Sequence, residues 1–372
     1  MAYTAIHGLR DVGQSIWFDN ISRALIESGR VKELIDLGVS GMTSNPTIFD
    51  RAVSSGSDYD EQIRQLKRLG KSTFEMYDDL TVRDIQDAAD IFKPVYDESD
   101  GLDGYVSLEI NPHLATRTAE TIEEGRRLHN KVNRPNVMFK VPAADEGYEA
   151  IETFLAEGMN INVTLIFSLQ QYERTAQAFL NGMTRLSETQ GDLSRTSSVA
   201  SVFVSRVDTA VDRVIDDLVV AENDEAVREK LLSLRGKAAV ANAKLIYQKS
   251  LEMFSGEAYG KLKANGARLQ RVLWGSTGTK DPSYSDIKYV EELIGKDTVN
   301  TAPEKTLEAF LDHGSVRETV TSDLEDAQEI IESLSGFGID IDEVCARLLR
   351  DGIVAFQKSF DSLLESIQAK AG

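Results

Sequence analysis

One lysine, Lys140, sits in the run "NVMFKVPA" (136–143), which otherwise reads as a buried β-strand. Val137, Phe139 and Val141 share one face by the two-residue repeat of a strand, so Lys140 falls on the other with Met138 and Pro142. A lysine is almost never fully buried without a partner or a task. Glu109 ends "YVSLE" as Lys140 ends "VMFK", and Asp19 ends "SIWFD". An amine held away from water, or beside another cation, gives up its proton more readily and can then attack a carbonyl. Loss of water from that adduct leaves a Schiff base, an electron sink that needs no cofactor. One carboxylate can shuttle the protons, and a second can take a hydroxyl proton so that the adjacent C–C bond breaks. One Lys, one Glu and one Asp on separate strands therefore suffice for aldol chemistry. A purely structural Lys140–Glu109 ion pair accounts for the same two residues with no chemistry at all.

Other polar residues fall at or near strand ends in the same way: Thr43 and Asn45, Asn162 and Thr164, Ser201, and Ser276. Asn162 and Thr164 share one strand face. Each also has an ordinary structural reading. Asn45 before Pro46, and Asp19 before "NISRAL", suit helix N-caps as well as a binding site. Thr164 and Ser276 suit turns after strands.

The elements that must position these groups recur along the chain. Strand-like runs cover 15–19, 38–44, 104–110, 136–142, 162–167, 200–207, 271–277 and 298–302, separated by amphipathic helical patterns. Strands alternating with helices imply parallel pairing through right-handed crossovers. Eight such units predict an α/β fold of the closed (β/α)8 barrel (TIM barrel) type, whose functional face is the C-terminal end of its strands. A doubly wound open sheet is the alternative. The connections 50–103 and 208–268 are long enough to hold two or more helices each, and 315–372 reads as a helical extension. Ser168 to Gln171 reads as a capping box opening "YERTAQAFLNGM". No linker or repeat divides the chain, so residues 1–372 are expected to form one domain. Neither G-x-G-x-x-G nor G-x-x-x-x-G-K-[ST] is present, and "GSTGTK" (275–280) is merely glycine-rich.

Composition narrows the function classes. The chain has 372 residues, 41% of them hydrophobic, enough for a sizeable core. Its formal charge of -20 argues against nucleic acid or an anionic membrane as partner. A phosphorylated substrate would need local Arg and Lys against that acidic background. The single cysteine, Cys345 in "IDEVCARLL", fits a helix core position. His7, His113, His129 and His313 show no metal-ligand spacing, so no metal is expected. No run reaches the ~18 apolar residues of a spanning helix, and the N-terminus lacks the apolar stretch of a signal peptide. A cytoplasmic location is expected.

The sequence resembles the transaldolase family, in its longer actinobacterial and cyanobacterial form, across roughly residues 10 to 365. The resemblance rests on "IWFDNISR" (16–23), "GVSGMTSNPTIF" (38–49), "VSLEINPHLA" (106–115), "NVMFKVPA" (136–143), "NINVTLIFS" (160–168), "SVASVFVSRVD" (198–208) and "WGSTGTKDPSYSD" (274–286), in that order. It implies cofactor-free transfer of a dihydroxyacetone unit from sedoheptulose 7-phosphate to glyceraldehyde 3-phosphate, giving erythrose 4-phosphate and fructose 6-phosphate in the pentose phosphate pathway. By the motifs, Lys140 would form the Schiff base and Asp19 would exchange the C4 hydroxyl proton. Glu109 would act through a water. Thr43, Asn45, Asn162 and Thr164 would surround the three-carbon unit and that water, and Ser201 would bind the terminal hydroxyl. Shorter family members carry S-F-R after the seventh strand, where this chain reads "GSTGTK", so Lys280, Arg206 and Ser276 are the expected phosphate ligands. A fructose 6-phosphate aldolase is the related alternative, but those enzymes lean on a tyrosine for proton transfer, and Asp19 with Glu109 and the longer chain favours the transferase. A barrel kept as a scaffold would not require the Lys, Glu and Asp set.

Overall fold

The computed structural model describes residues 3–372. Seven parallel strands form one curled sheet: β1 (Gln14–Phe18), β2 (Val106–Glu109), β3 (Val137–Pro142), β4 (Ile161–Ile166), β5 (Ser198–Phe203), β6 (Arg271–Gly275) and β7 (Thr298–Ala302). Their order is β1-β7-β6-β5-β4-β3-β2. Met42 makes single parallel bridges to Phe18 on β1 and to Val106 on β2, so it links the two edges of the sheet. An open doubly wound order, with its reversal in the middle of the sheet, is not what this chain adopts.

Alternation along the strands separates two kinds of core. Val137, Phe139 and Val141 pack outward into the main cluster shared with the helices. Met138 points the other way, into a second cluster with Trp17, Tyr105, Val199, Leu273 and Val299. Below that inner layer lies a polar plug in which Arg271 and Asp103 pair at 3.0 Å and Ser15 donates to Asp103 at 2.7 Å. Lys140 lies on the inward face two residues after Met138, which is what the sequence pattern predicts.

Two of the expected strands differ. Residues 38–44 contribute only the bridge at Met42 and not a full strand. The segment lies close against β1: a Cβ on Gly41 would come within 2.6 Å of the Trp17 ring, so only glycine permits that approach. The expected run 200–207 ends at Phe203, and Ser205 starts a helix to Ala221. Arg206 is therefore in the first turn of a helix, not on a strand.

The long connections are helical as expected. Pro46–Ser55, Asp60–Arg68 and Thr73–Glu98 precede β2, and four helices between Ser205 and Ala264 precede β6. Ser168 and Gln171 form the capping box of the Leu169–Glu188 helix. After β7 come Glu304–His313, Leu324–Gly336 and the 31-residue helix Ile341–Ala371. The last buries one stripe, Ile341, Val344, Cys345, Gly352, Phe356, Phe360, Leu363 and Ile367, at helical spacing. Each buried Phe of that stripe contributes roughly 1.5–3 kcal/mol. Cys345 is a core residue, as its sequence context predicts. No described helix is long and apolar enough to cross a membrane.

Candidate active site

Register sets the first three groups side by side. Glu109 on β2 pairs with Lys140 on β3, and Lys140 pairs with Asn162 on β4, all at one level of the ladder. Lys140 Nζ lies 3.2 Å from Glu109 Oε2, with both side chains almost wholly buried. The ammonium also donates to the Ser44 carbonyl at 3.0 Å. Neither oxygen of Glu109 has a hydrogen-bond partner of good geometry, leaving lone pairs free beside the amine. Burial pushes the Glu109 carboxyl above the usual carboxylate range, and the nearby Lys140 charge only partly opposes that.

Asp19 follows β1. Burial raises its proton affinity as well, against the Thr43 hydrogen bond and the charges of Lys140, Lys280 and Arg206. Thr43 Oγ1 donates to Asp19 Oδ1 at 2.7 Å and lies 2.6 Å from Thr301 Oγ1. A hydroxyl has one proton, so Thr301 must donate to Thr43 while Asp19 is ionised. Asp19 caps no helix: the next one, Arg23–Glu27, is capped by Ser22.

The short segment after Met42 serves several of these groups. Thr43 holds Asp19, and the Ser44 carbonyl holds Lys140. Ser44 Oγ donates to the Ser107 carbonyl at 2.6 Å. Asn45 caps the Pro46–Ser55 helix by accepting from Ile48 N–H at 3.0 Å, yet it also lines the cavity. The two positions are compatible, because the cap uses the side-chain oxygen and leaves the amide nitrogen. Across the mouth, Ser201 Oγ donates to Asn162 Oδ1 at 2.6 Å and Asn162 Nδ2 donates to Ser107 Oγ at 3.1 Å, which fixes the amide's orientation. Thr164 is buried with its hydroxyl unpaired, inside a bulge of β4 where Leu165 has φ 57°.

These residues enclose one cavity of about 270 Å³. Asp19, Thr43, Asn45, Lys140, Asn162, Thr164, Ser201, Arg206, Ser276 and Lys280 all line it. Glu109 does not; it reaches the cavity through Lys140. Ser276 has φ 54°, a left-handed conformation uncommon outside glycine, and its hydroxyl lies 2.9 Å from that of Ser205. Burial favours the uncharged form of Arg206, with Asp19 opposing it. Lys280 is exposed at the rim and makes no ion pair among the described residues, whereas its neighbour Asp281 is taken by Arg235 at 3.3 Å. A larger cleft of about 410 Å³, walled by the Ala238–Ser255 and Leu324–Gly336 helices, contains none of this machinery.

Sequence reasoning missed Arg51, Phe203, Thr301 and Phe356, which also line the cavity. Thr301 sits in the run "TVNTA" and was accessible to the same strand-end argument used for Thr164. Arg51 and Phe356 are on helices whose periodicity says nothing about the mouth they reach.

A recessed amine among carboxylates and hydroxyls, at one end of a curled parallel sheet, defines an α/β enzyme equipped for carbonyl chemistry. The chain belongs to the transaldolase/fructose-6-phosphate aldolase family, whose family model matches residues 16–367. It is 47% identical over 365 residues to the transaldolase of Saccharopolyspora erythraea, covering 98% of this chain and 96% of that one. It is 43% identical over 365 residues to the transaldolase of Trichodesmium erythraeum, covering 97% and 96%. A protein named transaldolase 2 from a Nostoc species is 43% identical over 374 residues, covering 100% and 98%.

Proposed function

We propose that this chain is a transaldolase that moves a dihydroxyacetone unit between sugar phosphates through a Schiff base on Lys140. The observation that carries the reading is the buried amine 3.2 Å from Glu109, opening onto a cavity also lined by Asp19 and by the cations Arg51, Arg206 and Lys280. The relatives above carry the transaldolase name, which favours transfer over release of free dihydroxyacetone.

In this reading the Lys140 amine attacks C2 of a ketose phosphate, and Glu109 relays protons through a water as the carbinolamine dehydrates. Asp19 then takes the C4 hydroxyl proton. The C3–C4 bond breaks, its electrons pass into the enamine, and an aldose phosphate leaves. An incoming aldehyde accepts C3, Asp19 returns its proton to the new hydroxyl, and hydrolysis of the new Schiff base through the Glu109 water releases the product ketose and the free amine. Asn45, Asn162 and Thr164 hold the hydroxyls of the retained unit and Ser201 its terminal hydroxyl. Arg206, Lys280 and Ser276 hold the phosphate. The donor is sedoheptulose 7-phosphate and the acceptor glyceraldehyde 3-phosphate. We place this chemistry in one cytoplasmic domain, residues 1–372, with the Met42 segment serving as the eighth strand of a closed barrel.

The test is a coupled assay with fructose 6-phosphate, with and without erythrose 4-phosphate. Turnover that requires the acceptor supports a transferase. Equal turnover without it identifies an aldolase, and no turnover in either case rejects the reading.

A further inference from the structure

The Ile341–Ala371 helix crosses the end of the sheet where Lys140 lies, and only Phe356 of that helix lines the cavity. Lys140 Nζ is 5.8 Å from the centroid of the Phe356 ring, and Phe356 is 3% exposed. The helix is fastened on several sides of the mouth. Cys345 Sγ contacts the Phe167 carbonyl after β4 at 3.4 Å, and Gln357 Nε2 donates to the Pro112 carbonyl after β2 at 3.2 Å. Ser359 Oγ lies 2.8 Å from Thr47 Oγ1 on the helix that Asn45 caps. Gly352 lets the helix approach: a Cβ there would be 3.0 Å from Leu165 and 3.6 Å from the Arg206 guanidinium. Leu165 itself is the left-handed residue of the β4 bulge, directed at that contact.

We infer that Phe356 is a specificity-determining residue that keeps water from the Schiff-base carbon while the enamine awaits its acceptor. The inference rests on the transaldolase reading. After the aldose leaves, the Lys140 enamine has two fates. Its C3 can attack an aldehyde, forming a C–C bond while Asp19 protonates the aldehyde oxygen. Alternatively C3 can take the Asp19 proton, water can add to C2, and the C–N bond can cleave to release dihydroxyacetone and the free amine. In the first route too, water must then add to C2 of the new Schiff base to release the product ketose, so each route returns the one water lost when the Schiff base formed and needs no further reagent. The routes part before that, since forming the C–C bond needs no water and release of the three-carbon unit does; a rigid apolar ring against the amine therefore disfavours release by shielding the waiting intermediate from hydrolysis. In this reading the acceptor, a phosphorylated aldehyde, enters along Arg206, Ser276 and Lys280.

The experiment measures free dihydroxyacetone released from fructose 6-phosphate alone, and transfer to erythrose 4-phosphate, in wild type, Phe356→Leu and Phe356→Ala. The ratio of release to transfer should rise about tenfold in Phe356→Ala and about threefold in Phe356→Leu. Circular dichroism melting identifies any unfolded variant; if alanine does not fold, the leucine variant decides. A wild-type ratio in the folded variants, or release and transfer falling in step, would overturn the inference. Wild-type protein that transfers nothing would instead reject the transaldolase reading, a result read before any variant is made.

Discussion

The Lys140 ammonium and the Glu109 carboxylate meet at 3.2 Å from adjacent residues of one ladder level, both buried. Such a pair is weak evidence of stabilisation, because desolvating two charges offsets most of their attraction. A structural pair would also be expected to satisfy its remaining lone pairs, and apart from the approach of Lys140 the Glu109 oxygens have no partner in the protein. The unspent acceptors beside an amine suit proton traffic better than they suit a scaffold.

Lys140 should carry the covalent adduct. Borohydride reduction in the presence of fructose 6-phosphate should add a reduced dihydroxyacetone unit to the peptide containing Lys140. Lys140→Arg should fold and lose the adduct, since a guanidinium stays protonated and cannot attack. Modification of a different lysine in the mass spectrum would reject the assignment.

Asp19 and Glu109 should fail at different steps. Asp19→Asn leaves the amine free to form the Schiff base but cannot take the C4 proton, so a six-carbon adduct should accumulate on Lys140. Glu109→Gln should slow both formation and hydrolysis of the adduct, by on the order of 10²–10⁴. Quenched-flow trapping separates the two. Identical adducts appearing at identical rates would show that the roles are not divided in this way.

Asp208 gives a prediction about stability that is independent of catalysis. It is buried, accepts from Ala239 N–H at 2.7 Å and from the Tyr289 hydroxyl at 2.8 Å, and burial lifts its carboxyl from 3.8 to about 6. The folded state then holds the proton more tightly than the unfolded state does. The group's contribution is therefore greatest below the unfolded value and falls as pH rises through the window from about 4 to about 6, by about 3 kcal/mol at most. Asp208→Asn should remove that contribution, so in urea unfolding the change in stability from pH 4 to pH 7 should favour the folded state more than in wild type, by up to about 3 kcal/mol. Equal slopes in the two proteins would mean that Asp208 ionises normally.

The sequence made the inward lysine, the Glu109 and Asp19 strand ends and most strand runs legible because each depends on a local two-residue repeat. Residues 38–44 defeated it: their composition suits a strand, but the packing of Gly41 against Trp17 leaves only one bridged residue. The alternation of "SVFVSRV" continues past the point where Ser205 turns into a helix, so the local repeat puts Arg206 on a strand that has already ended. The position of Phe356 was not legible at all. Helical periodicity identifies a buried stripe, yet which part of that stripe faces Lys140 depends on how the last helix is laid across the mouth.

Lys280 should read the substrate's phosphate. The cavity sits in a chain of net charge -20, so an anionic substrate needs local cations, and Arg206 and Lys280 both line the mouth. Asp281, the obvious neighbour to neutralise Lys280, is occupied by Arg235, which leaves the ammonium available. Its exposure allows the side chain to fold over a bound phosphate, while the Ser276 hydroxyl approaches from the left-handed turn beside it. A lysine supplies charge without the two-pronged geometry of arginine, so its effect should follow phosphate charge more than orientation. Lys280→Ala should raise KM for fructose 6-phosphate about tenfold or more, as loss of a charged hydrogen bond of ~1.5–3 kcal/mol implies. The change for unphosphorylated fructose should be small. Because remote binding energy also holds the sugar in register, kcat with the phosphorylated substrate should fall as well. Equal effects on the two sugars would show that Lys280 does not contact the phosphate and would leave that role to Arg206 and Arg51, the other guanidinium groups lining the cavity.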